Sequence, residues 1–182
     1  MIFNTTSGKI IKYFFEKPYE QIHLRELSRK TKTSVYATKI TVDKLVKQNI
    51  LLENRQGNLR VIKPNMENQF FKQLKIAYSI KKIIESNIIK HLETNIPAIS
   101  HIILYGSTAK GEDDEKSDID LLIIGQRKMI DISKYQTKIG KEINLIIMRW
   151  SDWREQPKSN KAFYREILTN GIPLYGDIPV IE

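Results

Sequence analysis

The sequence predicts two folded units of different class. A helix-rich, basic N-terminal module ends in a β-hairpin, and a C-terminal α/β (α+β) domain carries a mixed sheet, with a long connecting helix between them. Three observations carry this expectation. Residues 1–66 hold 13 Lys or Arg against 5 Asp or Glu, a net +8, while the other 116 residues hold 17 against 16, a net +1. Apolar residues keep a helical period from 67 to 95. Short β-branched runs at 102–105, 118–124 and 142–148 are joined by polar, glycine-punctuated or helical stretches. The boundaries expected are 1–66, 67–97 and 98–182.

Composition narrows the class. A 41% hydrophobic content is enough for packed cores and excludes a disordered chain. The absence of Cys excludes a disulfide framework and a thiolate zinc site. The opening MIFNTTSGKIIKYFF lacks the secretory pattern, and no apolar run approaches the ~18 residues of a membrane helix. A cytoplasmic protein without a membrane partner is expected.

In the N-terminal module, residues 8–16 predict a helix with Ile11, Phe14 and Phe15 on one side and Ile10 flanking, stopped by Pro18. A second helix spans His23 to Lys30, with Leu24 and Leu27 inward. Thr31 to Thr33 makes a turn, and Ser34 is placed to cap a third helix running to Gln48. Val35, Val42, Leu45 and Val46 form its apolar positions, leaving Tyr36, Lys39, Lys44 and Lys47 on other faces. Then Ile50–Arg55 and Leu59–Ile62 flank Gln56-Gly57-Asn58, a hairpin with Arg55 and Arg60 on its arms. Three helices followed by a basic hairpin resemble the winged helix-turn-helix fold of transcription regulators. That resemblance implies double-stranded DNA as a partner. Lys39, Lys44, Lys47, Arg55 and Arg60 would then lie mainly on phosphates, and Tyr36 and Lys39 at base edges. A winged helix used only for protein contact or dimerisation is the alternative.

From 67 to 95 the stripe Phe70, Phe71, Leu74, Ala77, Ile84, Ile88 and Leu92 predicts one long helix, ended by Asn95 and Pro97. It suits a connector that packs on both domains and on a second copy in a homodimer.

The chemistry sits in GSTAKGEDDEKSDIDL, residues 106–121. An apolar run, Ile102–Tyr105, precedes it and another, Asp118–Ile124, follows. Asp118 and Asp120 are two apart on a strand and so share a face. Paired carboxylates call for a hard cation such as Mg²⁺ (or Mn²⁺). Gly106 allows close backbone approach, Ser107 offers a hydroxyl and an N–H to phosphate, and Lys110 adds positive charge. Glu112 to Glu115 reads as a solvated charge run.

These residues resemble the polymerase β-like nucleotidyltransferases: Gly106-Ser107, ten intervening residues, then Asp118-Ile119-Asp120, with Gly111 and Ser117 where small members carry them. The resemblance implies an NTP substrate, ATP foremost, bound at Gly106, Ser107, Lys110 and Ser117. It implies a metal held by Asp118 and Asp120. It also implies transfer of a nucleotide monophosphate to a hydroxyl of a protein or small molecule, in some relatives within a toxin–antitoxin pair. A third carboxylate is required from a neighbouring strand, Glu142–Met148, and at the expected position stands Asn144. An amide can ligate through oxygen but cannot act as a base. Glu142, two residues earlier on the same face, either substitutes or is an exposed strand-end residue. A catalytically weak, nucleotide-sensing DNA-binding regulator is the competing reading.

Beyond the motif, 131–141 and Asn160–Leu168 predict helices, Ser151 caps a short helix carrying Trp153, and Asn170-Gly171 forms a C-cap. Ile172–Asp177, with Pro173, suits an edge strand. His23, His91 and His101 have no ligand spacing. Trp150 and Trp153 suit packing more than a pocket wall.

Overall fold

The computed structural model describes residues 4–57 and 59–181. Met1 to Phe3, the Asn58 position of the expected hairpin turn, and Glu182 lie outside the described residues. The chain divides into two compact units, Met1–Lys75 and Ile76–Glu182.

The first unit runs α1 (Thr6–Glu16), β1 (Ile22–His23), α2 (Leu24–Lys30), α3 (Val35–Lys47), β2 (Leu51–Gln56) and β3 (Leu59–Pro64). The Gly8 N–H donates to Thr5 Oγ1 at 3.1 Å, so α1 starts earlier than its apolar pattern. Ile10, Phe14 and Phe15 are its buried apolar side chains, and Ile11 is the flanking one. Ser34 caps α3 as expected, its Oγ accepting the Ala37 N–H. Val35, expected inward, is 47% exposed. Thr38 and Thr41 take buried positions instead, and Thr38 Oγ1 donates to the Ser34 carbonyl. The strands form an antiparallel sheet in the order β1-β3-β2, with Arg55 opposite Arg60. Gly57 supplies the left-handed turn conformation at φ +60°.

The expected single helix over 67–95 is two helices, α4 (Gln69–Ser86) and α5 (Ile88–Asn95). Asn87 lies between them at φ +68°. Side chains meet backbone groups at the break: Ser86 Oγ donates to the Ile83 carbonyl and accepts the Ile88 N–H. Lys138 Nζ donates to the Glu85 and Ser86 carbonyls at 2.6 and 3.2 Å. A period-3.6 stripe cannot register a one-residue break whose caps come from distant side chains. The buried face is also rotated, with Phe71, Ile76, Ile83, Ile88 and Leu92 inside and Phe70 and Ile84 exposed.

The second unit continues with β4 (His101–Tyr105), α6 (Gly106–Lys110), β5 (Ile119–Ile124), α7 (Ser133–Ile139), β6 (Ile143–Met148), α8 (Trp150–Ser159), α9 (Lys161–Asn170) and β7 (Ile172–Tyr175). The sheet order is β6-β5-β4-β7, with β5–β6 parallel and the other pairs antiparallel, so it is mixed as expected. Pro173 lies on the edge strand β7. On one face Ile119, Leu121 and Ile123 pack with Ile83, Ile88, Leu92, Tyr135 and Ile139. On the other, Leu122 and Ile124 pack with Trp153 and Ile167. Burial on both faces explains the unbroken apolar run of β5.

One expected cap differs: Arg149, not Ser151, is the N-cap of α8, and Ser151 lies within the helix. Gly171 is the C-cap of α9 as expected, in an extended conformation. It is glycine for space, since a Cβ there would lie 2.3 Å from the Ile167 carbonyl oxygen. Among the described residues no helix is long and apolar enough to cross a membrane.

Candidate functional site

The site is built where β4 ends and β5 and β6 begin. Sheet register places Tyr105 opposite Asp120 on one side and Asn144 opposite it on the other. The polar, glycine-punctuated connection after β4 begins as the short helix α6, ended by Gly111 at φ +69°. Buried Thr108 donates from Oγ1 to the Asp118 carbonyl at 3.3 Å, fastening α6 to the start of β5.

Gly106 is the steric key. Its φ is +72°, and a Cβ there would lie 2.4 Å from Asp120 Oδ2. No other residue type allows both the conformation and the approach. Gly106→Ala is expected to destabilise the chain by about 1–2 kcal/mol from the backbone alone. It also pushes the Asp120 carboxylate aside, so thermal melting should fall. Ser107 is partly exposed beside it.

Asn144 Nδ2 donates to Asp118 Oδ2 at 3.1 Å and to Asp120 Oδ1 at 3.2 Å. The carboxylates thus converge on one point, occupied by the amide nitrogen. Two carboxylates aimed at one donor also fit a small hard cation, because Mg²⁺ commonly takes one or two protein carboxylates and completes its shell with water and phosphate oxygens. Asp118 and Asp120 would hold such an ion, with the Asn144 amide beside it. Glu142 is exposed and precedes β6. Among the described residues no three of His, Cys, Asp and Glu form a potential metal group, so Glu142 does not join the aspartates there.

Other expected phosphate ligands have partners within the fold. Lys110 Nζ is 2.9 Å from Glu166 Oε1 on α9. Ser117 Oγ donates to Asp114 Oδ1 and accepts the Asp114 N–H, closing the loop before β5. The acidic run is therefore not simply solvated. Asp113 is 3% exposed and pairs with Lys141 at 2.5 Å. Asp114 is held below the usual carboxylate range by the Ser117 hydroxyl and the Lys116 N–H.

Two contributors lay outside the motif. Burial, aided by the Asp120 charge, pushes the Tyr105 phenol up to about 12, so it stays neutral beside the site. Its ring meets Phe163 edge-on at 5.4 Å. Burial raises Glu166, but hydrogen bonds from Lys110 and Asn170 together hold it below its ordinary 4.5. A depressed folded-state value means that its stabilisation is full above 4.5 and lost as pH falls through the folded value. The stability gap between wild type and Glu166→Gln, followed by urea titration, should be present near neutral pH and close below about pH 4.5. Only the helical phase of α9 relative to Lys110 could have pointed to Glu166.

In the first unit, Tyr36 (74% exposed), Lys39, Lys44, Lys47 and Arg55 are solvent-facing. Arg60 is not free: its Nη2 contacts Glu53 at 2.5 Å and Asp43 at 2.6 Å. Glu53 first, then Asp43, raise its pKa against burial.

A mixed sheet carrying Gly-Ser on one strand end and Asp-x-Asp on the next defines a nucleotidyltransferase-type domain. The chain belongs to the polymerase beta nucleotidyltransferase family, whose model matches residues 86–177. It is 41% identical over 81 residues to the "Putative protein adenylyltransferase MJ0604" of Methanocaldococcus jannaschii, covering 42% of this chain and 79% of that protein. It is 23% identical over 103 residues to the protein adenylyltransferase MntA of Shewanella oneidensis, covering 53% of this chain and 68% of that protein. Among solved structures, a toxin–antitoxin crystallised with AMP-PNP matches at 23% identity and a TM-score of 0.37, covering 54% of this chain and 73% of that one.

Proposed function

We propose that this chain is a metal-dependent adenylyltransferase that moves AMP from ATP to a hydroxyl of a protein. The observation that carries the reading is the convergence of Asp118 and Asp120 on one point beside Gly106. That both curated relatives bear the name protein adenylyltransferase supports the choice of ATP and of a protein acceptor, such as an antitoxin-type partner.

In this reading the acceptor oxygen forms a bond to the α-phosphorus while the bond to the departing pyrophosphate breaks. Gly106 admits the phosphates close to the backbone, and Ser107 donates its hydroxyl to them. Lys110 stays on Glu166 and steadies α6. A divalent cation held by Asp118 and Asp120 supplies the positive charge that offsets the phosphates. Asn144 orients the two carboxylates but cannot take the acceptor's proton. That proton leaves to solvent or to a group brought by the acceptor.

The test is labelling of a cognate lysate with ATP carrying a radioactive α-phosphate, with Mg²⁺ or Mn²⁺. A protein band labelled by wild type and not by Asp118→Asn/Asp120→Asn supports transfer. No label with any NTP, despite metal-dependent nucleotide binding, moves the assignment to a nucleotide sensor. Asn144 is the observation that favours that second reading.

The N-terminal unit is proposed to be a winged helix that binds double-stranded DNA. The exposed lysines of α3 and the net charge of +8 over residues 1–66 support this. Reversing Lys39 and Lys44 to Glu should weaken duplex binding by roughly 10-fold or more and flatten its salt dependence. Arg60→Ala should lower stability rather than affinity, because Arg60 is engaged by Glu53 and Asp43. Duplex binding unchanged by Lys39→Glu/Lys44→Glu would remove α3 from the interface.

A further inference from the structure

The geometry points to a second ligand site at the opposite end of the sheet, a cavity that takes a nucleoside monophosphate, a planar aromatic base carrying a phosphate anion. It opens where β4 begins and β5 and β6 end, roughly 13 Å along β5 from Asp120 at ~3.3 Å per residue. Its volume is about 540 Å³, and its walls include Ser100, Ile124, Gln126, Arg149, Trp150 and Ser151. That size falls in the ordinary range for small-molecule sites, roughly 300–1,000 Å³.

The lining has the chemistry of two joined subsites. Arg149 is exposed and, among the described residues, its guanidinium has no carboxylate partner. No acid lines the cavity. The neighbouring Asp152 is already compensated, accepting from Arg127 Nη2 at 3.1 Å and from the Arg149 N–H at 3.3 Å. An exposed guanidinium with its planar fork of donors matches a phosphate group. Next to it, the half-buried Trp150 indole is stacked on His101 with centroids 5.3 Å apart and planes 11° from parallel. His101 is itself fixed by a 2.8 Å hydrogen bond between Nδ1 and Ser100 Oγ. Burial holds the imidazole below its usual range against the charge of Asp177, so the brace is a neutral ring. The indole also packs against the apolar cluster that holds Ile124 and Trp153, and the part of it that lines the cavity offers a nucleobase an aromatic contact. Gln126 and Ser151 also line the cavity and carry donors and acceptors, and Ile124 adds an apolar wall.

The candidate catalytic site uses none of these residues. The two tryptophans give an internal control, since Trp153 is fully buried and its Nε1–H donates to the Pro179 carbonyl at 2.7 Å. The experiment follows both indole N–H signals of the full chain by ¹H–¹⁵N NMR during titration with AMP in EDTA. The Trp150 signal should shift saturably and that of Trp153 should stay. Adenosine alone and inorganic phosphate alone should each bind more weakly than AMP. Arg149→Ala should weaken AMP binding roughly 10-fold or more, with unchanged dispersion elsewhere reporting an intact fold. Trp150→Phe should retain part of the affinity, read from the Arg149 side-chain signal. Asp118→Asn/Asp120→Asn should bind AMP like wild type. No saturable shift, equal binding by Arg149→Ala, or loss of binding in the aspartate variant would each overturn the assignment, the last by placing AMP at the catalytic site.

Discussion

Replacing Asp118 and Asp120 together by asparagine is expected to lower nucleotide transfer by about 10³-fold or more, while leaving the fold in place. The reasoning is electrostatic. The amides match the carboxylates in shape, and their oxygens can still accept from Asn144 Nδ2, which now sits 3.1 and 3.2 Å from the acid oxygens. What disappears is the pair of negative charges that a divalent cation needs in order to stay beside the phosphates. Thermal melting should therefore move little, or rise, because two like charges that face one donor are removed. Mn²⁺ binding followed by electron paramagnetic resonance should be lost along with transfer. Label incorporated by the double variant at the wild-type rate would show that the chemistry lies elsewhere.

Much of the site was legible because strand geometry is local. Once 118–124 is a strand, Asp118 and Asp120 must share a face, and the run at 142–148 had to supply the neighbouring position. Asn144 stands there, in register with Asp120. Gly106 was legible as a residue of close approach, although only coordinates show that it approaches Asp120 itself. The less legible features depend on side chains that meet across long sequence separations. Lys110 looked like a phosphate ligand because nothing near it in sequence predicts Glu166 on α9. Asp113 looked solvated because its partner Lys141 follows a whole helix later. Asn87 breaks a helix whose apolar rhythm continues across it, and the carbonyls preceding it are met by Lys138. Arg60 looked like a surface cation for the same reason, with Asp43 supplied by α3 and Glu53 by the facing strand.

The opposite substitution, Asn144→Asp, should separate the enzyme reading from the sensor reading. In the native chain the amide nitrogen gives a neutral donor to each carboxylate, so both acids have a partner without a metal. An aspartate would remove both hydrogen bonds and place a third negative group against two others. Without divalent ions the variant should lose about 1–3 kcal/mol of stability and melt several degrees lower. With Mn²⁺ the sign reverses, because a third anionic ligand raises metal affinity by roughly 10-fold or more and the bound ion then stabilises the fold. A carboxylate at this position can also take a proton from an attacking hydroxyl, a contribution of about 10²–10⁴-fold in rate. Weak transfer by wild type and a gain of that size in Asn144→Asp would make the native site a tempered enzyme lacking its own base. Strong transfer by wild type, with no gain in the variant, would mean that the proton leaves by way of the acceptor. Tighter metal binding with no transfer in either protein would leave a nucleotide sensor, its two carboxylates held by a neutral amide instead of a reactive acid.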